Sequence, residues 1–160
     1  MKIAVSCDHA GFPLKAGIIA LLRQLGHSVE DLGTNSTDPV DYPDYARAVA
    51  EAVVSGRCER GVVLCGSGVG ASIAAAKVPG VRAAMCHDTF SARQGVEDDD
   101  MNVISLGARV IGPSLAAEVV RAFTGAKFSG LERHVRRLAK INAIEEDARS
   151  GVFDEARRKS

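Results

Sequence analysis

Neither sign of charge prevails in this chain: lysine plus arginine equals aspartate plus glutamate at 20 each. No global field therefore recruits nucleic acid or a membrane surface, and any recognition of anions must come from a local cluster. Cysteine is scarce. The four present, Cys7, Cys58, Cys65 and Cys86, lie far apart with no C-x-x-C pairing, which points to reduced thiols in a cytoplasmic protein. No apolar run approaches the ~20 residues needed to span a bilayer. Met1-Lys2-Ile3-Ala4-Val5 enters a strand directly, so no signal peptide is expected. Internal repeats, low-complexity segments and linkers are missing too. The 160 residues, 46% hydrophobic and 25% charged, are expected to form a single domain over 1–160 with a real core.

What is present is alternation. Apolar runs at Ile3–Cys7, Ser28–Leu32, Gly61–Leu64, Val81–Cys86 and Val103–Leu106 predict five strands. Between them lie helical patterns. Leu14, Ile18, Ile19, Leu21, Leu22 and Leu25 form one stripe, closed by Gly26 as a C-cap candidate. Tyr45–Val54, the Thr89–Gly95 region and Pro113–Phe123 supply others, and Asp41-Tyr42-Pro43-Asp44-Tyr45 resembles a helix N-terminus with Pro43 near its first turn. This order predicts an α/β fold: a Rossmann-like three-layer sandwich around a five-stranded parallel sheet. The segment Leu131–Ala148 is a polar helix with a narrow apolar face at Leu138, Ile141 and Ile144. Residues 131–160 are therefore expected to pack on a partner subunit.

Ligands of such sheets bind beyond the carboxyl ends of the strands. The richest such end follows the third strand, where Val62 to Leu64 lead into Cys65-Gly66-Ser67-Gly68-Val69-Gly70 and an alanine-rich helix start. The glycine spacing is neither the dinucleotide fingerprint nor a Walker loop, since no Gly-Lys-Ser/Thr follows. A glycine turn lets backbone N–H groups converge on an anion, and the start of a helix also suits a thiolate. Cys65 is thus a potential base beside a potential anion hole. The alternative is a packing turn with an inert cysteine.

Other chemical residues collect at the same edge: Asp8 and His9, His87 and Asp88, and Arg109. Asp8-His9 could bind sugar-like hydroxyls, or Asp8 could cap the next turn while His9 fills space. Tyr42 could lean into the site. Arg133 and Arg137 are four residues apart on the last helix and share a face that would clamp phosphate, or would be a solvated basic surface. Glu97-Asp98-Asp99-Asp100 is read as a solvated turn or helix end. Successive side chains diverge, so few of the four could reach one cation.

Taken in order, Cys7-Asp8-His9-Ala10-Gly11, Asp41-Tyr42-Pro43, Cys65-Gly66-Ser67-Gly68-Val69-Gly70, Asn102, Gly107-Ala108-Arg109-Val110-Ile111-Gly112 and Arg133-His134 with Arg137 resemble the ribose-5-phosphate isomerase B family, which includes the galactose-6-phosphate isomerase subunits. The resemblance runs from Met1 to about residue 150. It implies a cofactor-free, metal-independent aldose–ketose isomerase, a homodimer or homotetramer with active sites at the subunit interface. By the same resemblance Cys65 is the base moving a proton between C1 and C2, and Gly66 to Gly70 with Ser67 form the anion hole for a cis-enediolate. Asp8 and His9 match sugar contacts. Arg109, Arg133 and Arg137 match phosphate-site residues, with His134 nearby.

One position departs. Members of that family commonly carry a histidine–asparagine pair before the fifth strand, where the histidine assists furanose opening. Here Asp98-Asp99 stand in its place. Asp98 would serve as an acid only if Glu97, Asp99 and Asp100 held a proton on it by like-charge repulsion. His87 or His9 could take over that role, or the substrate could need no ring opening. Ribose 5-phosphate is the leading substrate, with a tetrose or hexose phosphate as rival. A non-catalytic sugar-phosphate-binding module is a third reading, and Cys65 argues against it, because a pure binder needs no base.

Overall fold

The computed structural model describes residues 1–154. Its strands are β1 (Lys2–Cys7), β2 (Ser28–Asp31), β3 (Arg60–Cys65), β4 (Ala83–Met85) and β5 (Val103–Gly107), joined in one sheet of order β2-β1-β3-β5-β4. Every pairing is parallel, with Val5 beside Val62 and Val62 beside Ile104. Helices α1 (Phe12–Gln24), α4 (Thr89–Asp99) and α5 (Pro113–Gly125) cover one face, while α2 (Tyr42–Val54) and α3 (Val69–Ala75) cover the other. Both faces of the strands are consequently buried, which explains their continuous apolar runs. Alternation along each strand sends Ile3, Val5, Leu64 and Leu106 into the first layer, and Ala4, Val63, Cys65 and Val103 into the second.

The boundaries follow local chemistry. Pro43 occupies the first turn of α2, which starts at Tyr42 rather than Tyr45; Asp41 precedes it without a side-chain capping bond. Gly26 takes a φ of 81° just past α1, as a C-terminal glycine should. The fourth strand is shorter than its apolar run: the Val81 N–H turns back to the Val78 carbonyl, and only Ala83–Met85 pair with β5. β4 is an edge strand, so nothing extends its ladder on the far side. Conversely α4 runs on to Asp99, which puts Glu97, Asp98 and Asp99 in its last turn and Asp100 at its cap with φ 50°.

From β1 the chain moves outward to β2, then returns past β1 to β3. Loops after β1 and β3 thus leave in opposite directions, and a crevice opens between them. The last helix, α6 (Glu132–Arg149), leans on α4 and is tied to the α3–β4 loop by the Glu145 carboxylate, which accepts the Gly80 N–H at 2.9 and 3.0 Å. It leaves Val135, Ile141 and Ile144 exposed. Residues 155–160 of the expected partner-packing tail lie outside the described residues. Among the described residues no helix is long and apolar enough to cross a membrane.

Candidate active site

The carboxyl ends of β1 and β3 are pressed together by glycine. A Cβ on Gly11 would lie 2.1 Å from the Leu64 carbonyl oxygen, so only glycine lets the first turn of α1 sit against β3. The Asp8 N–H donates to that same carbonyl at 3.1 Å, and Ala10 then rests beside Gly66. Asp8 is buried, and its Oδ1 accepts the N–H groups of Ala10 (2.9 Å) and Gly11 (2.8 Å). The capping role left open in the sequence is the one this oxygen performs. His9 accepts the Val40 N–H on Nδ1 at 3.2 Å, so in its neutral form the proton is on Nε2.

Cys65 closes β3 on the α2–α3 side. After it, Gly68 turns through φ 84° at the start of α3. The Ser67, Gly68 and Gly70 N–H groups have no hydrogen-bond partner among the described residues, while Val69 donates to Ser67 Oγ at 3.3 Å. Ser67 and Val69 are exposed. Tyr42 lies on the turn: a Cβ on Gly70 would meet its ring and hydroxyl at 2.7–2.9 Å. The turn is buttressed from β5. Ala108 and Arg109 donate their N–H groups to the carbonyls of Cys65 (2.8 Å) and Gly66 (3.0 Å), and Ser105 Oγ donates to the Gly68 carbonyl at 2.8 Å. His87 Nε2 accepts the Gly107 N–H at 2.9 Å, so that nitrogen is engaged as an acceptor.

Ser105 carried no signal in the sequence, because it reads as one more small residue in a buried strand. Gly107 is the hinge of this buttress, since a Cβ there would lie 2.5 Å from the Ser67 carbonyl oxygen. Gly107→Ala is therefore expected to force β5 and the turn apart, costing about 1–3 kcal/mol as an overpacking change. Thermal unfolding should fall by several degrees and turnover should fall with it; unchanged values for both would show that the turn can shift freely.

Beside this turn lies a cleft of about 520 Å³ lined by His9, Thr37, Arg109 and Pro113 among others. Arg109 is exposed and has no carboxylate within ion-pair distance among the described residues. Thr37 went unmarked in the sequence, where its loop reads only as polar turn residues.

The remaining candidates are at the opposite pole. α4 starts at the carboxyl edge and runs back for 11 residues, which carries Asp98 about 15 Å away from that edge. Asp100 pairs at 2.6 Å with Arg82, which precedes β4, and this fixes the end of α4 at the amino edge. Asp98 accepts from Gln94 Nε2 at 2.9 Å and lies 3.4 Å from Nδ1 of His134. His134 is buried against α4, with Ser129 Oγ at 2.6 Å from that nitrogen. Asp99 lines a hollow with Met101 and Ile141. Arg133 and Arg137 are exposed, and neither has a carboxylate partner among the described residues, whereas Arg136 pairs with Glu132 at 3.0 Å. One chain therefore gathers Asp8, His9, Tyr42, Cys65, Gly66 to Gly70 and Arg109, and places Asp98, Asp99, Arg133, His134 and Arg137 elsewhere.

Burial pushes the Cys7 and Cys86 thiols up to about 11 and raises Cys58 as well. Burial thus disfavours the thiolate at all three. Among the described residues no group of histidines, cysteines and carboxylates is arranged to hold a metal ion.

A family model described as Ribose/Galactose Isomerase matches residues 3–141. Ribose-5-phosphate isomerase B of Escherichia coli is 46% identical over 145 residues, covering 91% of this chain and 97% of that one. D-erythrulose-4-phosphate isomerase of Pectobacterium atrosepticum is 45% identical over 132 residues, covering 81% and 86%. The solved ribose-5-phosphate isomerase B of Clostridium thermocellum superposes with a TM-score of 0.89 at 47% identity, over 92% of this chain and 99% of that chain. The chain belongs to the ribose/galactose isomerase family, whose members here are sugar-phosphate isomerases.

Proposed function

We propose that the protein interconverts an aldose phosphate and its ketose isomer through a cis-enediolate, with Cys65 as the base. The observation that carries this reading is the placement of Cys65 at the end of β3, directly before a turn that offers free N–H groups. Cys65 takes the proton from C2 of the open-chain aldose. Negative charge then grows on the carbonyl oxygen at C1, where the Ser67, Gly68 and Gly70 N–H groups stabilise it. Return of a proton to C1, with the O2 hydroxyl proton passing to O1, gives the ketose. Asp8, His9 and Tyr42 orient the hydroxyls, and Arg109 attracts the phosphate. No cofactor or metal has a step to perform.

Arg133, Arg137 and Asp98 of the same chain are too far away to join in, so a second copy must bring all three to the substrate. That requirement, with the exposed apolar residues of α6, supports a homodimer or homotetramer with the site between subunits. Conversion of four-, five- and six-carbon aldose phosphates in deuterated water tests the reaction itself. Product carrying deuterium at C1 to the extent that the Cys65 thiol exchanges with solvent is expected, and complete absence of ketose from all of them would leave only the binding-module reading.

Ribose 5-phosphate is the leading substrate. Asp98 favours a tetrose phosphate as a second reading, in keeping with the D-erythrulose-4-phosphate isomerase similarity. A pentose 5-phosphate must first open its furanose, which needs a proton at the ring oxygen. Erythrose 4-phosphate carries phosphate on the hydroxyl that would close such a ring. The Asp98 carboxylate accepts from Gln94 Nε2 and lies 3.4 Å from His134 Nδ1, so it is already engaged within its own chain. Asp98→His is expected to speed ribose 5-phosphate turnover by about tenfold or more, short of the full contribution of a tuned general acid, with little change for the tetrose. Loss of a good ribose 5-phosphate activity in that variant would make Asp98 itself the working acid.

A further inference from the structure

Lysine is rarely fully buried, yet Lys15 on α1 is only 6% exposed. Its ammonium is not idle. Nζ donates to the Thr34 carbonyl at 2.7 Å, reaches Asn35 Oδ1 at 3.2 Å and pairs with Asp31 at 2.9 Å. All three acceptors belong to the end of β2 and the loop that follows it. Such a set offsets the cost of desolvating the charge, which a lone buried ammonium could not bear. The stem of Lys15 is packed as tightly: a Cβ on Gly33 would lie 3.1 Å from its Cδ and 2.7 Å from the Cys7 backbone nitrogen.

What that loop carries is the second observation. After Asn35 it leaves the sheet and passes the cleft, where Thr37 lines the same space as His9 and Arg109. At Val40 its N–H holds His9 Nδ1. It then ends at Asp41, and the next residue is Tyr42, whose ring covers Gly70. Three parts of the site thus depend on where this loop runs. Asn35 is exposed and His9 is partly exposed, so core packing does not fix them by itself.

We propose that Lys15 is a positioning residue for substrate binding: its buried ammonium gathers Thr34, Asn35 and Asp31, sets the 33–41 loop, and through the Val40 N–H presents His9 Nε2–H to the ligand. This rests on the reading of His9 as a substrate contact. The turn after Cys65 is held separately, by Ser105, Ala108 and Arg109. Lys15 should therefore govern binding and not the proton transfer.

The test is a double-mutant cycle on the full-length protein with ribose 5-phosphate and erythrose 4-phosphate. Lys15→Met is expected to raise KM about tenfold, the order of one lost charge-assisted contact, with kcat within about twofold. His9→Ala should raise KM similarly. In the His9→Ala background, Lys15→Met should raise KM clearly less than it does in the parent, because much of its effect passes through the His9 contact. Val40→Pro removes the N–H that His9 accepts, while also fixing φ at that position, and should reproduce the Lys15→Met increase; it carries the test if Lys15→Met fails to fold. Additive KM effects would overturn the proposal, as would loss of kcat and thermal stability with KM unchanged. If His9→Ala itself leaves KM unchanged, the assignment of His9 fails and takes the proposal with it. If His9→Ala raises KM while Lys15→Met and Val40→Pro do not, only the positioning role fails.

Discussion

Cys65→Ala is expected to lower kcat by at least about a hundredfold, the lower range for a general acid–base group, with KM within about threefold. The thiol is the only proton-accepting side chain at the end of β3, and the turn that follows it is held by backbone and Ser105 contacts that do not involve sulfur. Alanine should therefore remove the base and leave the anion hole standing. Alkylation offers a second route to the same group. Burial holds Cys7 and Cys86 at about 11, so at pH 8 about one thiol in a thousand at either is ionised. Cys65 is also the most accessible of the four cysteines, at 7% against 0% for Cys7, 2% for Cys58 and 4% for Cys86. Iodoacetamide should thus inactivate by marking Cys65 first, and substrate should slow it. Turnover near the parent level in Cys65→Ala would remove the thiol from the mechanism.

The parts of this site that could be read from the residues are those where local chemistry and topology agree. Cys65 followed by alternate glycines needed only the rule that ligands sit beyond strand ends. Five apolar runs alternating with helical stripes were enough for the sandwich, because strands buried on both faces read as continuous apolar stretches. Two things were not legible. One is the buttress behind the turn, since Ser105 and His87 act through single hydrogen bonds to backbone atoms far off in sequence. The other is the direction of α4. The run from Glu97 to Asp100 was readable as a helix end, but only the sheet order and the Arg82 pairing show that this end lies at the pole opposite Cys65. Asp8 shows how one residue's role can stay balanced until its neighbours are seen: its Oδ1 accepts two turn N–H groups.

Removing both Arg133 and Arg137 is expected to raise KM for the phosphosugar by at least about a hundredfold. Each guanidinium lost takes a charge-assisted contact worth roughly 1.5–3 kcal/mol, and the two together span two to four decades. Their exposure and lack of carboxylate partners among the described residues mean that alanine leaves no buried charge behind, so folding should be unaffected. A simple surface role predicts no change in KM and none in inhibition by inorganic phosphate. The proposed site between two chains makes a sharper demand. The Cys65→Ala chain lacks the base but has both arginines; the Arg133→Ala, Arg137→Ala chain is the reverse. When the two are mixed and allowed to exchange subunits, half of the dimers become hybrids, and each hybrid has one site with both defects and one with neither. About a quarter of all sites are then intact, and activity should recover to about that fraction of the parent's although either variant alone is nearly inactive. A mixture no more active than the average of its components, with hybrids shown to have formed, would place the arginines outside the partner's site and return them to the surface of α6.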